Sequence, residues 1–167
     1  MTAGSQVSPV TVTLSRPTLE QCQQVRVWRD HPSVARNLRT GPKTETEQTQ
    51  FYHEVVCAPY REHVYHALLE GSTCIGLGGL TYLRRWPGRE PELSLLIGPP
   101  FQRRGLGRLA VQALLAEAFE INMQAVIGES YLDGESWRFW AKLAAEGGWQ
   151  TLKFGRSFFF RIERPDR

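Results

Sequence analysis

The chain has 167 residues, the length of one domain that can bury a core of its own. Its apolar content of 41% and its charged content of 22% are typical of a soluble globular protein. The net charge of +3 gives no support to a nucleic-acid-binding protein, because the basic residues are spread along the chain.

The cysteines and the N-terminus indicate where the protein works. Cys22, Cys57 and Cys74 are odd in number and form no C-x-x-C pair, which argues for buried thiols in a reducing compartment and against a disulfide scaffold. No apolar run is long enough to span a membrane. Residues 1–9 lack the features of a signal peptide and are interpreted as a disordered lead. We therefore predict a cytoplasmic protein with a single domain over residues 10–167.

The segment before residue 60 is predicted to hold one strand and three helices. Alternating apolar residues indicate the strand. Each helix starts at a residue whose side chain can cap the first turn, and two of these caps are followed three positions later by glutamine or glutamate. The predicted elements are a strand over residues 10–14 and helices that start at Thr18, Ser33 and Thr44.

Three strands in hairpin order are predicted next, over residues 63–69, 74–81 and 92–97, with a longer loop over 84–88. The middle strand contains Gly76, Gly78 and Gly79, which weaken it as an isolated element. We interpret these glycines as marking a place where backbone or ligand comes close.

The third of these strands ends at Gly98-Pro99-Pro100, because two consecutive prolines cannot donate to a ladder. Residues 102–107 then read Gln-Arg-Arg-Gly-Leu-Gly and lead into an amphipathic helix over 105–121. Glycine lets backbone N–H groups come close to a ligand, the first helical turn leaves its amides unpaired, and the helix dipole favours negative charge. The segment therefore predicts a phosphate site.

Three interpretations of this turn compete. Residues 105–110 fit the dinucleotide pattern G-x-G-x-x-G/A, but Pro-Pro-Phe-Gln-Arg-Arg intervenes after the strand and they lie late in a short chain. An ordinary strand-to-helix turn would also use glycine for its geometry. The whole unit of strand, proline break, Gln-Arg-Arg-Gly-Leu-Gly and helix resembles the acetyl-CoA signature Q/R-x-x-G-x-G/A of the GNAT superfamily of N-acetyltransferases.

The rest of the chain follows the same resemblance. A strand over 125–128, a helix over 137–146 capped by Asp133 or Ser136, and two closing strands over 149–154 and 157–162 complete the GNAT order of elements. Residues 28–34 also resemble an opening found in a branch that contains ribosomal-protein alanine and amino-sugar acetyltransferases. The resemblance implies an α+β fold, an α/β/α sandwich. Its sheet is mixed and mostly antiparallel, with six to seven strands splayed at the fourth strand, beside about four helices.

The resemblance also implies acetyl-CoA as cofactor. Its pantetheine arm fills the gap in the sheet like an extra strand and needs backbone partners. Its diphosphate rests on the amides at the start of the long helix, with arginine side chains adding positive charge. The residues predicted to bind the cofactor are Leu96, Ile97, Gln102, Arg103, Arg104, Gly105, Leu106, Gly107 and Arg108.

Acetyl transfer to an amine needs a base, an oxyanion donor and, for the leaving thiolate, an acid. The first candidate for the base is Glu92 and the second is Glu129. Many family members carry a tyrosine where this chain has Ala144, so Tyr131 or Ser136 is predicted to take over the acid or thiol contact, or the thiolate leaves to solvent. We predict direct transfer in a ternary complex without a covalent enzyme intermediate.

A metal site is not expected. His63 and His66 are predicted to lie on opposite faces of one strand, so they cannot share an ion.

The acceptor is predicted to bind where the first helices meet the last hairpin. Trp28, Arg29, His31 and Arg36 are the predicted substrate-binding residues, and His31 is also interpreted as a capping residue. Arginines and aromatics in these segments favour a small amine that carries a phosphate or nucleotide group. The alternatives are the N-terminus of a protein as acceptor, or a non-catalytic module that binds acyl-CoA. A homodimer is compatible with the sequence.

Overall fold

The computed structural model describes residues 10–59, 62–82 and 90–165. The strands are β1 Thr13–Ser15, β2 Val64–Glu70, β3 Thr73–Thr81, β4 Glu92–Ile97, β5 Ala125–Tyr131, β6 Gln150–Phe154 and β7 Ser157–Glu163. The helices are α1 Leu19–Arg29, α2 Pro32–Ala35, α3 Glu45–Phe51, α4 Leu106–Glu120 and α5 Ser136–Gly147, with a π-helical turn over Tyr52–Val56 and a 3₁₀ turn over Pro99–Phe101. The predicted lead over 1–9 and the loop over 84–88 lie outside the described residues.

Two of the predicted helix starts are confirmed and one is wrong. Thr18 and Thr44 each form a complete capping box. The second helix is capped by His31 instead of Ser33, with His31 Nδ1 accepting a hydrogen bond of 3.2 Å from the Ser33 backbone N–H. Pro32 explains the shift, since its missing N–H and fixed φ suit the first helical position.

All seven strands form one sheet in the order β1-β2-β3-β4-β5-β7-β6. Every pairing is antiparallel except that of β4 with β5. This is the mixed, mostly antiparallel sheet that the resemblance implied. The strand predicted to end at residue 128 continues to Tyr131, because β5 pairs with β7 along its whole length, out to Tyr131↔Ser157.

Helices cover both faces of the sheet. Neighbouring residues of β2 show this directly, because Tyr65 packs on Phe51 of α3 whereas His66 contacts Glu117 of α4. The larger core cluster lies between the sheet and the helices α4 and α5. These helices contribute Val111, Leu114, Ala118, Trp140 and Leu143 to it. The predicted three-layer α/β/α arrangement is confirmed, with five α-helices among the described residues instead of about four.

None of the helices in the described part of the chain combines the length and the apolar character that crossing a bilayer requires.

The glycines of β3 are explained by close approach of backbone. A Cβ on Gly76 would lie 2.1 Å from the Leu96 carbonyl oxygen, and one on Gly79 would lie 2.2 Å from the Val64 carbonyl oxygen. Gly78 faces α4, where a Cβ would lie 2.8 Å from Leu114 Cδ1. The predicted close approach is confirmed, and the neighbouring strands β2 and β4 account for it at two of the three positions.

Candidate active site

The sheet opens between its two central strands. Within the described residues, β4 and β5 are paired at Glu92↔Ile127 alone, where the Ile127 N–H donates to the Pro91 carbonyl at 2.9 Å. Beyond Glu92 the two strands part, so that β4 keeps a full ladder with β3 but loses its neighbour on the other side. The sheet is therefore splayed at the fourth strand.

The backbone direction along β4 decides which groups face this gap. The Leu96 carbonyl lies against Gly76 of β3, and the Gly98 N–H donates to the Ile75 carbonyl at 2.8 Å. Because the peptide groups of successive residues point to opposite sides of a strand, those of Leu95 and Ile97 are directed at the gap. The prediction placed Leu96 and Ile97 there, and the backbone groups of Leu96 are instead turned to β3.

Gln102 forms a hydrogen bond with one of the backbone groups at the mouth of the gap, the Ile97 carbonyl. Its Nε2 donates a hydrogen bond of 3.0 Å to the Ile97 carbonyl, which ties the turn before α4 to the end of β4. The Ile97 N–H is left directed at the gap.

The turn before α4 presents a row of unpaired amides. Gly105 caps the helix in the left-handed conformation with φ +79°, and Arg103 has φ +62°. The first helical amide with a partner is that of Arg108, which donates to the Gly105 carbonyl at 3.1 Å. The backbone N–H groups of residues 103–107 have no hydrogen-bond acceptor among the described residues. Converging amides of this kind form an anion-binding concavity at the positive end of a helix.

The space beside these amides is open. A Cβ on Gly105 would have no atom within 4 Å. On the other side of the helix start, a Cβ on Gly107 would lie 3.3 Å from the Phe139 ring, so Gly107 lets α5 pack closely on α4. The two glycines of the signature thus have different structural roles.

The arginines of the turn differ in their partners. Arg104 forms an ion pair with Glu70 through two contacts of 2.8 and 2.9 Å, and Arg108 forms one with Glu146. The Arg103 side chain has no partner among the described residues, which leaves its charge available beside the open amides.

Two carboxylates meet where β4 and β5 begin to part. Glu92 and Glu129 both bind the guanidinium of Arg39, which lies 3.1 Å from Glu92 Oε1 and also contacts Glu129 Oε2. Glu129 Oε1 accepts a hydrogen bond from the hydroxyl of Ser157 on β7. The two glutamates are 21% and 24% exposed, so they are shielded but open to a ligand.

A cavity of about 430 Å³ lies over these carboxylates. Its walls come from β4, β5, β6, β7 and the segment after α2, and include Arg39, Glu92, Ile127, Glu129, Leu152 and Phe159. The turn before α4, the gap and this cavity lie in turn along β4 and together make up the candidate active site.

Comparison with known proteins agrees with this geometry. The family model of the GNAT acetyltransferase domain matches residues 11–152, most of the chain. The chain belongs to the GNAT acetyltransferase family. It is an acyltransferase, and acetyl-CoA is its cofactor.

Solved GNAT structures share the fold at low sequence identity. Spermidine N-acetyltransferase from Vibrio cholerae, solved in complex with CoA and spermine, gives a TM-score of 0.78 at 15% identity over 92% of this chain and 95% of that chain. The Microcin C7 self immunity acetyltransferase MccE, in complex with acetyl-CoA and AMP, gives 0.72 at 10% identity over 95% and 98%. An acetyltransferase from Agrobacterium tumefaciens gives 0.71 at 18% over 98% and 99%. No curated protein matches the chain.

The predicted catalytic residues of this GNAT chain lie on two different faces of the sheet. Glu92 and Glu129 lie together, and Tyr131 shares the face of Glu129 because it is two residues along β5. Ser136 lies on the other face, where its hydroxyl is 2.6 Å from that of Ser130. Ala144 is buried in the core, so no acid is available at that position. The roles of all four predicted residues stay predictions.

The predicted substrate-binding residues do not line the cavity. Trp28 packs on Phe101 with ring centroids 5.9 Å apart, and a Cβ on Gly98 would lie 2.7 Å from its ring. Arg29 donates to the Thr40 hydroxyl, and its burial lowers the pKa of its guanidinium. His31 caps α2 and Arg36 forms an ion pair of 3.1 Å with Glu135. Their contact with substrate stays a prediction.

Most of the arginines in the predicted acceptor region are paired with carboxylates. Arg36, Arg39 and Arg156 form ion pairs with carboxylates, and Arg161 binds Glu90 at 2.6 Å and also Glu163. Ion pairing across elements neutralises arginines that appear unopposed in the sequence. Arg39 and Ser157 lie within the predicted acceptor segments. The sequence did not predict their contacts with Glu92 and Glu129, because nothing local signals a side chain that reaches a distant strand.

The two histidines of the β2 region are on opposite faces, as predicted. The His63 ring packs on Tyr65 and Tyr82, whereas His66 Nε2 lies 2.6 Å from Glu117 Oε2 on the α4 side. The described residues contain no group of three side chains able to hold a metal ion.

Proposed function

We propose that this protein transfers an acetyl group from acetyl-CoA to the primary amine of a small molecule, by direct attack in a ternary complex. The observation that carries the proposal is the alignment of three features along β4. They are unpaired amides at the start of α4, a gap flanked by free peptide groups, and two carboxylates at the closed end of the gap.

The residues at the turn fit a diphosphate. Residues 103–107 offer unpaired N–H groups, Gly105 leaves open space beside them, and the unpaired charge of Arg103 adds attraction for an anion. The N–H and carbonyl groups of Leu95 and the N–H of Ile97 face the gap and can hold the amides of an extended arm there, whereas the Ile97 carbonyl already accepts from Gln102. When bound, acetyl-CoA supplies an acetyl group activated as a thioester.

Glu92 is the proposed general base. An amine attacks only when neutral, so a carboxylate must accept the proton of the ammonium group, directly or through a water molecule. Glu92 lies at the point where the gap closes and lines the cavity, and this position supports its role as the base. Glu129 is the second candidate, although its oxygens already bind Ser157 and Arg39.

Direct transfer is supported by the raised pKa of two cysteine thiols. Burial raises the pKa of the Cys22 thiol to about 11 and also raises that of Cys74. A thiol that stays protonated is a poor nucleophile, so a covalent acetyl-cysteine step is not favoured at these positions. The similarly folded spermidine N-acetyltransferase from Vibrio cholerae was solved in complex with CoA and spermine together, which is in keeping with a ternary complex.

The test is turnover of a panel of amines with acetyl-CoA, read by free thiol release and by mass of the acetylated product. The panel includes diamines, amino acids, amino-sugar nucleotides and a peptide with a free N-terminus. We expect Glu92→Gln to lower kcat by about 10²–10⁴-fold without loss of CoA binding. Glu20→Gln, an exposed position on α1, is the matched control. CoA binding with no turnover across the panel would refute catalysis and favour an acyl-CoA-binding module.

A further inference from the structure

The guanidinium of Arg39 lies at the wall of the candidate acceptor site, beside two carboxylates. It contacts Glu92 and Glu129 at once, although these residues come from different strands. Arg39 itself comes from the segment between α2 and α3, and its side chain is 41% exposed. A cation therefore lies between the two carboxylates, and it is attached to the protein by a segment outside regular structure.

The other cavity-lining residues that the structure describes add no free positive charge. Arg161 is held by Glu90 at 2.6 Å and by Glu163, so its charge is more than balanced. Ile127, Leu152 and Phe159 supply apolar surface. With Arg39 in place, Glu92 and Glu129 are only partly neutralised, and with Arg39 withdrawn they would leave two unpaired carboxylates over an apolar wall.

We propose that Arg39 is a tethered substitute for the acceptor's ammonium group, and that the acceptor is a small cationic amine with an apolar body, such as an aliphatic diamine. This inference rests on the proposed function, because it takes the cavity as the acceptor site. A cationic acceptor competes with Arg39 for Glu92 and Glu129, and Arg39 moves to solvent when the acceptor binds. Arg39 is thus a specificity-determining residue that raises the concentration of amine needed for binding.

The opposite role, in which Arg39 binds a phosphate or carboxylate of the acceptor, is disfavoured by its surroundings. The Arg39 charge is already shared by two glutamates, and an anionic group placed beside it would also lie close to both of them. Like charges at such distances repel in a partly shielded site.

The test measures binding of 1,4-diaminobutane to the full chain by calorimetry at one fixed salt concentration. We expect Arg39→Gln to bind the diamine at least about tenfold more tightly than the unchanged protein, because the internal competitor is gone. Arg39→Lys keeps a cation and is expected to bind like the unchanged protein. The double change Glu92→Gln with Glu129→Gln is expected to abolish binding.

Arg164→Gln is the matched control, because it removes an arginine that binds Asn122 outside the cavity. Thermal unfolding of each variant confirms that it is folded. Equal or weaker diamine binding by Arg39→Gln overturns the proposal. Weaker binding of glucosamine 6-phosphate by the same variant also overturns it, since Arg39 would then be an anion ligand.

This binding experiment needs neither acetyl-CoA nor turnover. A failure of the proposal for Arg39 can therefore be told apart from a failure of the proposed function. Tighter diamine binding by Arg39→Gln without acetylation of any amine would refute the proposed function and keep the cation site. Acetylation of amines with unchanged diamine binding would support the function and refute the role of Arg39.

Discussion

The proposed diphosphate site in the turn before α4 is best tested at Gly105. Its φ of +79° lies in the left-handed region, and its missing Cβ would meet no atom within 4 Å. Alanine there adds no clash and costs about 1–2 kcal/mol of folding free energy from backbone strain alone. For a domain of this size, that cost lowers Tm by about 2–8 °C. A folded protein with a slightly lower Tm is therefore expected for substitutions at this position.

The effect on CoA depends on the charge of the new side chain. Gly105→Asp places a carboxylate beside the amides of residues 103–107, where the diphosphate is proposed to rest. Two unit charges about 5 Å apart repel by about 3 kcal/mol at an effective dielectric constant of 20. We therefore expect Gly105→Asp to weaken CoA binding by at least about 100-fold.

Gly105→Asn is the matched control, because asparagine has nearly the same shape, tolerates the left-handed conformation and carries no charge. The Kd for CoA, measured by calorimetry on both variants at low and high salt, separates charge from strain. The gap between the two variants is expected to shrink as salt rises. If Gly105→Asp bound CoA as tightly as Gly105→Asn at low salt, the diphosphate would not rest on this turn.

Three further predictions concern stability. Gly128→Ala puts a Cβ 2.1 Å from Phe160 Cζ and is expected to cost about 1–3 kcal/mol, seen as a lower urea midpoint with unchanged slope. Asn37→Ala removes the Oδ1 that accepts the Glu135 N–H at 2.9 Å and caps α5. We expect this change to lower the free energy of unfolding by about 0.5–2 kcal/mol in the same assay. A smaller decrease for Asn37→Asp, which keeps the oxygen, would confirm the oxygen as the cap. Burial raises the pKa of Tyr65 to about 12, so between about pH 10 and 12 the folded state keeps a proton that the unfolded chain loses. The free energy of unfolding should therefore fall as the pH rises above about 10. An equally steep fall in Tyr65→Phe would contradict this.

Local patterns were enough for the elements that depend on neighbouring residues. The capping boxes at Thr18 and Thr44, the bounds of β4 and the turn before α4 all follow from contacts within a few positions in sequence. A cap or a proline break acts on the backbone beside it, so it is visible without the fold. The order of these elements also carried the resemblance to the GNAT family, which the family model confirms over residues 11–152.

The ends of other elements depended on distant partners. The first turn of α5 is capped by neither Asp133 nor Ser136; the side-chain oxygen of Asn37 accepts the backbone N–H groups of Glu135 and Ser136 at 2.9 and 3.0 Å. β5 runs past its predicted end because β7 pairs with it. Neither effect has a local signal, since each partner is far away in sequence.

The sequence by itself determined the family, the fold class and the position of the glycine-rich turn before α4, because these depend on local residue patterns and on the order of the elements along the chain. Only the tertiary structure decided which backbone groups of β4 face the gap, since a strand's register with β3 sets their direction. It also decided which charged side chains line the cavity proposed to bind the acceptor. Arg39, Glu92 and Glu129 are brought together from three elements, and Coulombic interaction at contact distance turns three separate charges into one shared site.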